Sequence, residues 1–181
     1  MANPPGEYRS MPVADILDSL AIQICEPPLS KLREDLRSIP EVLRIPILII
    51  DFDIEVQMNG ILGFLENSTG RYLTDTIDAL ETIAAHDAAK TLRAIHRIMS
   101  EHGVTVERLR NDFADAQEFQ ITSFRELHGD ELSQMADLIV GEAGELYIYD
   151  PAAAQVFDLL LAYLERRRDE FVASLEACAS A

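Results

Sequence analysis

Asp51, Asp53 and Glu55 place three carboxylates in quick succession, a grouping that could bind a cation or move a proton. Either use requires the carboxylates to converge. On a helix, Asp51 and Glu55 share a face while Asp53 points elsewhere, and no second ligand-rich segment can be named to complete a cation site. The four histidines, His86, His96, His102 and His128, show neither the His-x-x-x-His nor the His-Glu-x-x-His spacing of zinc sites, and are read as surface or helix-end residues. The chain carries no glycine-rich phosphate loop, no Gly-x-Ser-x-Gly elbow and no nucleophilic cysteine in a recognisable setting. Cys25 and Cys178, the only cysteines, are too few for a disulfide framework and too far apart for a local zinc site, so they are read as reduced thiols. The expectation is a protein that is not an enzyme and holds no metal or cofactor.

A second constellation is Glu55, Asn59, Gly60, Phe64 and Asn67. Glu55 and Asn59 are four residues apart and stack on one helical face. They are read in two ways: as a ligand or partner site, or as an internal polar network bonded to the backbone of a neighbouring helix, with Asn67 in the left-handed conformation at the helix end. Gly60 and Gly63 each weaken a helix by about 1 kcal/mol relative to Ala, and their presence favours tight internal packing against another helix. The expected helix carries Ile54, Met58, Ile61 and Leu65 on its buried face and stops at residues 67–70.

The elements that position these residues follow a 3.6-residue period throughout. Residues 1–12 hold three prolines and a glycine without an apolar face and are read as a loose lead-in. Val13, Ile16, Leu17, Leu20 and Ile24 mark a first helix, Leu29, Leu32 and Leu36 a second, and Pro46 the start of a buried one. Thr74 and Asp87 are expected to cap two antiparallel helices joined at Ala85-His86, the second closed by Gly103. A helix through Leu132, Met135, Leu138 and Ile139 starts near Gly129-Asp130, and residues 141–149 read as a turn or short extended piece. Asp150-Pro151 opens one long last helix bearing Phe157, Leu160, Leu164, Phe171 and Leu175. The fold class is all-α, one compact domain over residues 13–181 with about seven to nine helices.

Thirty-two acids against 15 bases give a net charge of −17, well beyond the roughly 2 to 8 units usual for a small domain. Such a field repels nucleic acid and anionic lipid and attracts basic proteins at salt-sensitive rates. Its densest stretch runs from Asp112 to Asp150, where Asp112, Asp115, Glu118, Glu126, Asp130, Glu131, Asp137, Glu142, Glu145 and Asp150 face Arg125 alone. More than half of the chain's excess lies there. Duplex DNA carries one charge per about 1.7 Å of axis, and acids spaced along helix faces and turns suit an imitation of it better than one packed run. A solvated acidic face without a partner is the plainer reading. With no signal-like opening and a longest apolar run of Ile45 to Ile50, far short of the ~20 residues of a membrane helix, the protein is expected in the cytoplasm.

The pattern Glu55-Val56-x-x-Asn59-Gly60-x-x-x-Phe64-x-x-Asn67, followed by a small-residue break and an amphipathic helix, resembles the family typified by DNA mimic protein 19, domain of unknown function 4375. The resemblance is strongest over residues 54–85, with Ile61 and Leu65 standing where the family pattern has a second glycine and an aromatic. It implies a homodimer that binds a basic protein, a DNA-binding transcription regulator, through an acidic surface. An immunity or antitoxin-like protein neutralising a basic toxin, or a helical relative without mimicry, are the alternatives.

Overall fold

The computed structural model describes residues 8–24, 26–27, 29–115, 123–146 and 151–179. Among these residues the chain is built of helices without strands, in ten α-helices and three 3-10 turns, close to the number expected. They group into two compact units, residues 1–50 with 157–181, and residues 51–156.

In the first unit, α1 (Val13–Gln23) buries Val13, Ile16, Leu17 and Leu20, the face its spacing predicts. The short α2 (Leu29–Leu32) runs into a 3-10 segment, Arg33–Ser38, that buries Leu36. The next helix, α3 (Glu41–Glu66), does not begin at Pro46 as expected but at Glu41, with the Pro40 carbonyl accepting from Leu43 and Arg44. Pro46 sits inside it. Val42, Leu43 and residues 45–50 are all buried, so over 45–50 the helix is apolar all round, as an enclosed helix must be. The single last helix expected from the sequence is two, broken at Arg167. The Arg167 guanidinium binds Glu41 Oε1 at 2.9 Å and Glu170 Oε1 at 2.9 Å, and also the Tyr163 hydroxyl. Arg168 holds residues near the start of the described chain by donating to the carbonyls of Arg9 and Met11 at 3.1 and 2.6 Å.

The second unit contains α4 (Leu73–Thr82), α5 (His86–Glu101), α6 (Val106–Asp115), α7 (Phe124–His128) and α8 (Asp130–Glu142). α9 (Pro151–Arg166) and α10 (Arg168–Ala179) complete the chain. α4 pairs with α5, and α5 packs on α8. The expected caps Thr74 and Asp87 are not used. α4 starts one residue before Thr74, at Leu73, and α5 starts at His86, neither with a side-chain cap. α4 ends instead in a pair of reverse bonds, Ala84 N–H to Glu81 O at 2.9 Å and Ala85 N–H to Leu80 O at 2.8 Å, with Ala84 at φ 67. The same pairing closes α5 at Gly103 and Val104, the expected stop. α8 runs to Glu142 and a 3-10 turn covers Ala143–Leu146, where a turn or extended piece was expected. The rest of that piece lies outside the described residues.

Candidate functional site

Gly60 interrupts α3 with φ 70 and ψ 179, a region open in practice only to glycine. Its effect is a reversal of the chain. Residues twelve apart in a straight helix are separated by about 18 Å, yet the Phe52 and Phe64 rings meet edge to face at 5.0 Å between centroids. Glu55 Oε2 likewise accepts from Asn67 Nδ2 at 2.6 Å, twelve residues on, and from Asn59 Nδ2 at 3.0 Å. The corner is so tight that a Cβ on Gly63 would stand 2.3 Å from that of Asn59. Gly70 has no room for a side chain either, because a Cβ there would lie 2.6 and 2.7 Å from the carbonyl oxygens of Leu65 and Phe64.

Glu55, Asn59, Gly60, Phe64 and Asn67 are thus one structural device. The side-chain amides of Asn59 and Asn67 bond Glu55, rather than a neighbouring helix's backbone. Asn67 is extended, at φ −75 and ψ 171, and precedes the 3-10 turn Ser68–Tyr72. The left-handed residue is Gly60, and it serves the reversal of its own chain rather than a crossing with another helix. Met58, expected on the buried face, is 76% exposed, whereas Ile61 and Leu65 are buried, because one helical period does not run through the corner. Asp51 is buried, Asp53 is held by Gln57 and Glu55 by the two amides. Burial raises the Asp53 carboxyl above its ordinary range, and the hydrogen bond from Gln57 opposes this. Among the described residues no group of three or more His, Cys, Asp or Glu is arranged to hold a metal ion.

Of the two placements expected for His128, surface or helix end, the structure overturns the surface. His128 does end α7, but its side chain is 0% exposed and lies between two carboxylates, Nε2 at 2.7 Å from Glu66 Oε1 and Nδ1 at 2.9 Å from Asp112 Oδ2. An ionised carboxylate only accepts, so both contacts are satisfied when the ring carries both N–H protons or when one of the carboxyls is protonated. Burial pushes the Glu66 carboxyl up, and His128 pulls it back down. The ring also packs on Phe124 at 4.4 Å, one turn earlier on the same face. That i, i+4 spacing from an apolar anchor is the local signal by which burial could have been read. His86 and His102, by contrast, are exposed, bound to Glu81 and to the Ile98 carbonyl.

The ten acids of residues 112–150 divide sharply by environment. Asp112 is half-buried on His128. Glu126 closes a capping box, accepting from Ser123 N–H at 2.9 Å while Ser123 Oγ accepts from Glu126 N–H at 3.3 Å. The backbone bond from Ser123 holds its carboxyl below the usual range. Asp130 pairs with Arg125. Glu131, Asp137 and Glu142 are exposed along α8. Glu118 and Asp150 lie outside the described residues, as do the side chains of Asp115 and Glu145. No helix of the described residues is long and apolar enough to cross a membrane.

This combination defines a class, an all-α protein of strong negative charge whose signature residues build a helix reversal. The family model for DMP19-like protein matches residues 37–167, and the chain belongs to that family. The match includes the Gly60 corner, the Glu66–His128–Asp112 contacts and the whole of α8. No curated protein and no solved structure matches the chain significantly.

Proposed function

We propose that this protein works by binding rather than catalysis, holding a basic DNA-binding regulator in the cytoplasm through an acidic surface that stands in for the phosphate backbone. The observation that carries this reading is α8, a helix with Asp130, Glu131, Asp137 and Glu142 and no basic residue, within a DMP19-like chain of net charge −17. Carboxylates on an exposed helix present separated negative charges to a cationic surface, and long-range attraction raises the rate of encounter. As a homodimer the protein would offer two such faces. The Gly60 corner takes no direct part in binding, since its polar side chains bond one another.

A competition titration with the partner captured from a host lysate tests this. DNA should displace the protein from the partner, and affinity should fall steeply as salt rises, because the contacts replace those made to phosphates. Neutralising Glu131, Asp137 and Glu142 to the amides should weaken binding far more than Asn59→Ala. Simultaneous binding of DNA and this protein to the partner would end the mimicry reading.

A further inference from the structure

We propose that a cavity beside the start of α10 binds a free α-amino acid, with Arg168 taking the carboxylate and Asp169 the ammonium group. The site belongs wholly to the first unit and owes nothing to the acidic surface proposed above. The cavity holds about 250 Å³, and among the described residues its wall is Arg9, Arg168, Asp169, Val172 and Ala173. Pockets for drug-sized ligands run from about 300 to 1,000 Å³, so the occupant here is small. Arg9 is already committed, its Nε and Nη2 donating to the Glu176 carboxylate at 3.2 and 3.0 Å. Arg168 is not. Its Nη2 donates to the Arg9 and Met11 carbonyls, and among the described residues the N–H groups of its Nε and Nη1 meet no acceptor. Among the same residues no carboxylate stands within ion-pair distance of Arg168, and no cation within that distance of Asp169. The two are neighbours in the chain and do not pair with each other.

Charge selects the occupant. A wall with one unpaired cation and one unpaired anion suits a ligand that carries both signs. A simple anion is repelled by the −17 charge of the chain, and a simple cation leaves Arg168 unanswered. A zwitterion has no net charge to be repelled and meets each wall group through a charge-assisted hydrogen bond. Val172, 5% exposed, and Ala173 supply an apolar stretch of wall, which suits an aliphatic side chain better than a second charged one. The bonds from Arg168 to the Arg9 and Met11 carbonyls hold the guanidinium before any ligand arrives, so binding loses little side-chain entropy there.

Solution NMR of the full chain reads the site directly. Amide chemical shifts are followed as L-alanine, L-valine and L-leucine are added, alongside isocaproate, which is leucine without its ammonium group, and isoamylamine, which is leucine without its carboxylate. Shift changes should centre on Arg9 and residues 168–173. Leucine should bind roughly tenfold more tightly than either truncated compound, since each lacks one charge-assisted bond. Asp169→Asn should weaken leucine by roughly tenfold and leave isocaproate no weaker, a split that a general disturbance of the fold would not produce. Arg168→Gln should abolish binding of both, but it also cuts the ties to Arg9 and Met11. Asp169→Asn removes no hydrogen bond or ion pair of the free protein, so it keeps the test independent of folding. Binding of isocaproate or isoamylamine as tight as that of leucine, shift changes centred elsewhere, or undiminished leucine binding by Asp169→Asn would overturn the proposal. So would the absence of shift changes with all three amino acids at about 50 mM, far above the millimolar Kd of even a weak site.

Discussion

The Gly60 corner and α8 divide the molecule's polar residues into two kinds. At the corner, Glu55 meets Asn59 and Asn67 and Phe64 meets Phe52, so the residues of this pattern satisfy one another. Along α8, Glu131, Asp137 and Glu142 face water, in company with two half-exposed apolar side chains. A sharp motif records a backbone demand, because a reversal admits few residue types. A binding face built from distributed charge leaves no motif, since many spacings of acid produce similar potentials.

The contrast can be broken first at Phe64, which is 1% exposed. Phe64→Ala should cost about 3 to 5 kcal/mol in urea unfolding. A loss under about 1 kcal/mol would mean that the reversal does not depend on its aromatic contact. His128→Ala comes next, at about 2 to 4 kcal/mol, because Glu66 and Asp112 would lose their shared donor in a partly buried setting. A shift in melting temperature no larger than that of an exposed histidine variant such as His96→Ala would count against the buried placement. Gly60→Ala should cost about 1 to 3 kcal/mol, from backbone strain alone.

Titration sharpens the same boundary. The folded chain holds the Glu66 proton more tightly than the unfolded one, because burial raises its carboxyl above 4.5. Its contribution is therefore fully present below that ordinary value and is lost as pH rises from there through the raised folded value. Glu66→Gln should flatten this part of the stability curve, read from thermal melts at stepped pH; an unchanged slope would assign the pH dependence to other groups. The smallest effect belongs to α8. Neutralising Glu131, Asp137 and Glu142 together should change stability by no more than about 0.5 kcal/mol, and a larger loss would show that these acids support the fold.

The helices were legible wherever burial follows a single period. Val13 to Leu20 and Leu92 to Met99 are buried as their spacing predicts, and so are Leu132, Met135 and Ile139, whereas Leu138 of the same expected series is 48% exposed because it lies to the side of the stripe those three form. Met58 shares a period with Ile61 and Leu65 in the sequence but not in the fold, because the backbone leaves the helix at Gly60. Proline's preference for first turns points to a start at Pro46, but the Pro40 carbonyl opens the helix before it. His128 could not be paired from the sequence, as one of its carboxylates comes from 62 residues away. The Ser-x-x-Glu spacing at 123–126 is local and readable, and it removes Glu126 from the acids free to meet a partner. What the spacing of acids could not reveal is which of them already had an internal role.

The reversal at Gly60 also carries a kinetic consequence. Its contacts join residues only twelve apart, and loops of this size close within about 10 to 100 ns. The contact between His128 and Glu66 spans 62 residues and must wait for a much costlier closure. The corner is placed to condense early and the Glu66–His128 contact to lock late. Phe64 variants should then slow refolding, while His128 variants should chiefly speed unfolding in stopped-flow chevrons.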